Sequence, residues 1–154
     1  MTARSILLRL IVGASFLAAS LPAIAAPSQA DLSIADRPGT PTSMNIRVFN
    51  ESPLVGGSAY GVTVTVQPIV GIVTRLSAPS NCIAGSNGSF LCNLNRIDGH
   101  NAKFLNFGLT LAPNACRIYK NGQIKVATAS VTSKTVDLYT GNNMTNVYIR
   151  TSCN

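Results

Sequence analysis

Tryptophan is absent from this 154-residue chain, and a single histidine, His100, leaves little for imidazole chemistry. Acids are scarce too: five Asp and Glu stand against twelve Lys and Arg, and charged residues make up only 11% of the sequence. Without Trp, the buried indole that pins antibody domains cannot be built, so true antibody-type character is not expected. The five acids are Asp31, Asp36, Glu51, Asp98 and Asp137, and most fall in turns or near termini, where carboxylates cap or are solvated; a glycosidase pair is therefore not expected. Calcium needs several convergent oxygens, and Asp137 with Asn142 and Asn143 reads better as a hydrogen-bonded turn.

Other chemistries fail on spacing. No Cys-x-x-Cys occurs, and His100 sits beside Asp98-Gly99 in a turn signal, so no zinc site is expected. The same Asp-Gly-His turn lacks a Gly-x-Ser-x-Gly nucleophile motif to complete a triad. Gly56-Gly57 and Gly85-Ser-Asn-Gly88 are not followed by a helix and lysine, as a phosphate loop would be. The expectation is a protein without catalytic residues, cofactor or metal.

Long apolar runs are missing everywhere but the N-terminus. Arg4 and Arg9 precede an apolar stretch from Leu10 to Leu21, and Pro22-Ala23-Ile24-Ala25-Ala26 offers the small residues a signal peptidase reads. The run is shorter than the about 20 residues a helix needs to span a bilayer. Residues 1–26 are thus expected to be a cleaved signal peptide, and no membrane span is expected in the mature chain. The product would be exported: periplasmic, secreted or associated with the cell surface.

The signal carries two of the twelve basic residues and no acid, leaving a mature net charge of about +5. In sequence the bases (Arg37, Arg47, Arg75, Arg96, Lys103, Arg117, Lys120, Lys125, Lys134, Arg150) are scattered rather than gathered into a run. Without clustered bases and interleaved stacking aromatics, nucleic acid is not expected as a partner.

What the chain does have is alternation. Met44-Asn-Ile-Arg-Val-Phe-Asn50 and Gly61-Val-Thr-Val-Thr-Val-Gln67 each place apolar side chains on one face and polar ones on the other. Further strands are expected at Ile69–Leu76, Ser89–Leu94, Lys103–Leu111, Gln123–Val131, Thr135–Leu138 and Thr145–Thr151. Ser52-Pro53, Gly56-Gly57, Asp98-Gly99, Pro113-Asn114, Asn121-Gly122 and Gly141-Asn142-Asn143 punctuate them. The reading is all-β, an antiparallel β-sandwich of about seven to eight strands over residues 44–154. Residues 27–43, rich in Pro, Ser and Ala, read as an N-terminal leader with one short strand at Asp31–Ile34.

Four cysteines, Cys82, Cys92, Cys116 and Cys153, permit three pairings. Asn87-Gly88 supplies two positive-φ residues for a type I′ hairpin, which favours Cys82 with Cys92 and leaves Cys116 with Cys153 by elimination. Unstrained, each bond would contribute roughly 2.5–4 kcal/mol. Asn87-Gly-Ser89 and Asn143-Met-Thr145 are glycosylation sequons, meaningful in a source with that machinery.

Several pieces also occur in a family order: Ala30-Asp-Leu-Ser, Asn50-x-Ser52-Pro53, Ala59-x-Gly61-Val-Thr-Val-Thr65, Pro68, Ser77-Ala-Pro-Ser, Cys82, Cys92-Asn-Leu94, Ala127-x-Ala129-x-Val131-x-Ser133, Asp137 and Asn142-Asn143. Together they resemble the bacterial and archaeal surface-protein repeat called domain of unknown function 11, over nearly the whole mature chain. The resemblance implies an immunoglobulin-like β-sandwich that serves as a spacer or presentation module, with no catalytic residues to transfer. The chain departs from the pattern in holding one copy, in Gln67 where an acid is common, and in the added Cys116 and Cys153.

Two function classes follow. One is a non-catalytic secreted or cell-envelope module that contacts an extracellular or envelope protein or polymer through a sheet face or edge, a geometry also open to edge-strand self-association. The alternative is a basic secreted protein that binds a polyanion such as lipopolysaccharide or an acidic polymer.

Overall fold

Alternation of small β-branched residues with polar ones drives strand after strand in this chain. The computed structural model describes residues 29–37, 39–52, 57–115 and 122–150. The expected signal peptide, Cys116 and Cys153 lie outside the described residues. The strands are β1 (Gln29–Ala30), β2 (Leu32–Arg37), β3 (Ser43–Asn50), β4 (Ala59–Pro68), β5 (Val73–Ser77), β6 (Cys82–Ala84), β7 (Phe90–Ile97), β8 (Ala102–Leu111), β9 (Gln123–Thr132), β10 (Val136–Asp137) and β11 (Met144–Arg150).

Two antiparallel sheets, ordered β11-β9-β4-β7-β6 and β2-β3-β8-β5, form an immunoglobulin-like β-sandwich. A separate parallel pair joins β1 to β10. In β4 the fully buried Val62, Val64 and Val66 face inward; in β3 Met44, Ile46 and Val48 do the same from the opposing sheet. Each such side chain contributes roughly 1.5–3 kcal/mol on burial, before the entropy of ordering it is subtracted. Phe107 of β8 meets Phe90 of β7 edge to face, ring centroids 6.0 Å apart, tying the sheets near their open side.

The architecture is the expected one, with nine strands in the two sheets rather than seven or eight. The count changes because β10 stands outside the main sheets while β6 joins one and β2, from the segment read as a leader with a short strand, joins the other. Leu32 and Ile34 alternate inward and are buried, so β2 pairs with β3 along its length, from Leu32 opposite Asn50 to Arg37 opposite Asn45. The main sheets therefore begin at β2, ahead of the expected boundary at residue 44, with β1 paired apart. The strand expected over Ile69–Leu76 starts later, at Val73, because residues 69–72 close a turn in which the Ile72 and Val73 N–H groups both donate to the Ile69 carbonyl, each at 3.2 Å, with Gly71 at φ 81°. The expected Thr135–Leu138 strand shrinks to the two residues of β10, which pair with β1 instead of a main sheet.

The sandwich closes on one side. Edge strand β2 meets edge strand β11, where the Tyr148 N–H donates to Asp36 Oδ2 (2.9 Å) at a register shift in β11, and Gly39 bridges to Ile149. The edges on the opposite side are β5 and the short β6, which the Cys82–Cys92 disulfide fastens to β7. Asn87 (φ 55°) and Gly88 (φ 71°) occupy the centre of the turn, and the Ser89 N–H donates to the Ser86 carbonyl at 3.1 Å. This is the positive-φ pair that a type I′ turn requires.

Candidate functional site

Register decides which side chains share a face. In the four-stranded sheet Ala35 lies opposite Arg47 and Arg47 opposite Phe104; Arg37 lies opposite Asn45 and Asn45 opposite Asn106; Ser33 lies opposite Phe49 and Phe49 opposite Ala102. Their alternating neighbours Ile34, Ile46, Val48, Leu105 and Phe107 are buried, so these three rows point away from the core. Two arginines and two phenylalanines thereby meet on one outer surface. The Arg37 guanidinium carbon lies 5.5 Å from the Phe104 ring centroid, and that of Arg47 lies 4.5 Å from the Phe49 centroid. Phe104 is 52% exposed, unusual for a phenylalanine with no packing role toward the core.

Each cation–π contact is worth about 0.5–1 kcal/mol at an exposed site. Their larger effect is on order: a guanidinium already held over a ring gives up less freedom when it grips an anion. Among the described residues the ion pair formed is Arg96–Asp98, so neither Arg37 nor Arg47 is neutralised by a neighbouring carboxylate. Glu51 and Asp31 bound the face at one end, where the Glu51 N–H donates to the Asp31 carbonyl. Arg75 shares the face opposite Thr110, six residues along β8 from Phe104, and so about 20 Å away.

The outer face of the five-stranded sheet is different in kind. One row crosses it from Ile83 through Leu91, Thr65 and Ser130 to Met144, and Thr63 pairs with Thr132 beside it. The Thr63 and Thr132 hydroxyls lie 2.9 Å apart and share a hydrogen bond. These rows carry no charged residue, but Lys125 opposite Tyr148 and Arg150 opposite Gln123 flank them. The Arg96 guanidinium carbon lies 5.2 Å from the Tyr60 ring centroid, and Arg96 pairs with Asp98.

The residues singled out for chemistry are placed in structural roles. His100 stands in the β7–β8 turn at φ 60°, its backbone N–H donating to the Asn50 carbonyl at 2.8 Å. Asp98 accepts hydrogen bonds from Ser58 Oγ (2.8 Å) and Arg96 Nε (2.5 Å), which together hold its carboxyl below the ordinary value. Asp137 is a seam residue: it accepts from the Leu32 N–H (3.2 Å), the Tyr139 N–H (3.1 Å) and Asn143 Nδ2 (3.0 Å), while Asn142 Nδ2 donates to Asp31 Oδ1 (3.3 Å). Among the described residues no group of three or more His, Cys, Asp or Glu is placed to hold a metal.

Two important residues were hidden from sequence reasoning. Asn50 is fully buried, and its amide donates to the Gly57 (2.7 Å) and Ile97 (3.0 Å) carbonyls while its Oδ1 accepts from the Asp31 (3.3 Å) and Ser52 (3.2 Å) N–H groups. Asp36 is the other. Desolvation raises its carboxyl above the ordinary 3.8, outweighing the hydrogen bond from Tyr148, and its Oδ1 is buried without a partner. The face of Arg37, Arg47, Phe49 and Phe104 was equally unread, since its parts lie far apart in sequence; the alternation of Arg47 and Phe49 with buried Ile46 and Val48 was the available signal.

The described residues thus define an immunoglobulin-like antiparallel β-sandwich that displays a cationic, aromatic sheet face. Among solved structures the chain is similar to the cohesin module from a family 33 glycoside hydrolase of Clostridium perfringens, at a TM-score of 0.36 and 10% identity over 79% of this chain and 98% of that one. A likeness of that size carries no functional argument, and the sandwich assignment rests on the sheets themselves. No protein-family model and no curated protein matches the chain. Among the described residues no helix is long and apolar enough to cross a membrane.

Proposed function

We propose that this protein is a non-catalytic, exported interaction module that acts by contact with an extracellular or envelope partner through the outer face of its four-stranded sheet. The observation that carries this reading is the pairing of Arg37 with Phe104 and Arg47 with Phe49 on a surface where no carboxylate neutralises either cation. Exposed aromatic and arginine side chains are the residue types that anchor interfaces, and leaving them in water has no benefit for the fold. The polar side chains at the strand ends Asn50 and Asp137 are spent on hydrogen bonds that hold the sandwich together.

The experiment is retention of the mature, oxidised protein on cell envelopes from its own source. Wild type is expected to be retained and the Arg37→Ala/Arg47→Ala variant, with unchanged circular dichroism, to be released. Equal retention of both would remove the face from the account. A second reading, a polyanion as that partner, is favoured by the same two unneutralised arginines; binding of that kind weakens steeply with salt.

A further inference from the structure

We infer that the Arg37–Arg47 face binds an acidic polysaccharide, its guanidinium groups gripping carboxylates along an extended chain. The inference rests on the contact-module reading and names its partner. Four observations select this class. Arg37 and Arg47 stand on neighbouring strands in diagonal register, because Arg37 pairs with Asn45 and Arg47 lies two residues further along β3; such positions are separated by about 7–8 Å. The two cations can therefore engage successive anionic groups of one chain instead of a single point charge. A planar guanidinium matches a carboxylate in a bidentate fork, which an ammonium cannot do.

The polar residues between them suit sugar hydroxyls. Asn45 and Asn106 lie directly opposite each other beside Arg37, and Ser33 lies in the row of Phe49. Amide and hydroxyl groups both donate and accept, as a hydroxyl-rich backbone requires. The surface is also a sheet face, so it presents rows along which an extended polymer can lie.

The rival polyanions fit less well. Nucleic acid would use exposed rings to stack its bases, but Phe104 and Phe49 each already carry a guanidinium within stacking reach. A lipid surface would need apolar side chains to accompany the cations, yet Val70, Ile83, Leu91, Val136, Tyr139 and Met144, all exposed, lie off this face. Of the exposed large apolar side chains Phe104 alone stands on it, with the half-buried Phe49 beside it.

The test is affinity electrophoresis of the mature, oxidised protein through gels holding polygalacturonate, the same polymer fully methyl-esterified, or single-stranded DNA, each at low and high salt. Wild type is expected to be retarded by polygalacturonate at low salt, released at high salt, and unaffected by the ester, which keeps the backbone and loses the charge. Arg47→Ala should weaken binding about tenfold and Arg47→Lys nearly as much, because a lysine cannot form the fork. Arg75→Ala, at the far end of the face, should change it less than about twofold. The ester comparison uses wild type, so it decides the matter even if a variant fails to fold. Retardation by the ester, stronger binding to DNA, full binding by Arg37→Ala/Arg47→Ala, or no binding to polygalacturonate would each overturn the inference. In the last case, envelope retention that still depends on Arg37 and Arg47 would leave the contact-module reading standing with a different partner.

Discussion

The two outer faces of this sandwich are built on the same alternating strands and differ in how their cations are held. The five-stranded face displays hydroxyls and scattered apolar side chains, with Thr63 and Thr132 satisfying each other across strands. It carries cations too, Lys125 and Arg150 toward β11 and Arg96 over the Tyr60 ring, but Arg96 is paired with Asp98. The four-stranded face displays Arg37 and Arg47 over phenylalanine rings, with no counter-charge between them. A hydroxyl hydrogen-bonded to its cross-strand neighbour is content without a partner. An unneutralised guanidinium over an exposed ring holds binding capacity that the fold does not use. The difference teaches that the inward residues specify the sandwich, while function must be sought in outward residues that the sandwich does not need.

The comparison would be broken most completely by removing what both faces share. Asn50 lies at the junction of β3 with the loop to β4 and satisfies two carbonyls and two N–H groups in a fully buried site. Asn50→Ala leaves these groups unpaired and is expected to cost about 3 kcal/mol, lowering the denaturation midpoint for the whole domain in one transition. A loss under about 1 kcal/mol would show that water replaces the amide.

The next effect separates the sheets. Cys82→Ser with Cys92→Ser releases β6 from covalent attachment at the edge of the five-stranded sheet. Closing so short a loop restricts the unfolded chain enough to be worth about 2.5 kcal/mol. Urea titration should show that loss, while retention on envelopes by the four-stranded face persists under folding conditions. Loss of retention in a variant that is still folded would mean that the two faces are coupled.

A smaller effect concerns the seam between the sheets. The folded-state pKa of Asp36 is raised, chiefly by desolvation, so folding binds its proton more tightly than the unfolded chain does. Its contribution to stability is greatest below the ordinary 3.8 and is lost as pH rises through the higher folded value. Asp36→Asn keeps an oxygen for the Tyr148 N–H and removes the charge. It should therefore be more stable than wild type at neutral pH, by under about 1 kcal/mol for so exposed a group, with the gain vanishing as the pH falls below 4. Thermal melts across that range check it; a gain that grew on acidification would reverse the sign.

Much of the interior was legible because burial leaves a periodic trace. Val62, Val64 and Val66 announced β4, and Asn87-Gly88 between two cysteines announced the β6–β7 hairpin. Leu32 and Ile34 announced only the short strand expected at Asp31–Ile34, and not its extension to Arg37 or its place in a main sheet, since two apolar residues in a Pro- and Ser-rich stretch are too brief a period to show more. The candidate face was illegible for another reason. Arg37, Arg47 and Phe104 look scattered along the chain, and only the pairing of β2, β3 and β8 gathers them. Long-range register is a property of the assembled sheet, and no local window contains it.

The central claim is that the four-stranded face, and not the five-stranded one, makes the functional contact. The most direct measurement compares envelope retention of Arg37→Ala/Arg47→Ala with that of Thr65→Asp, which places a charge at the centre of the opposite face. The account predicts that the first variant is released and the second is retained as wild type is, both remaining folded. Release of Thr65→Asp together with retention of Arg37→Ala/Arg47→Ala would contradict it.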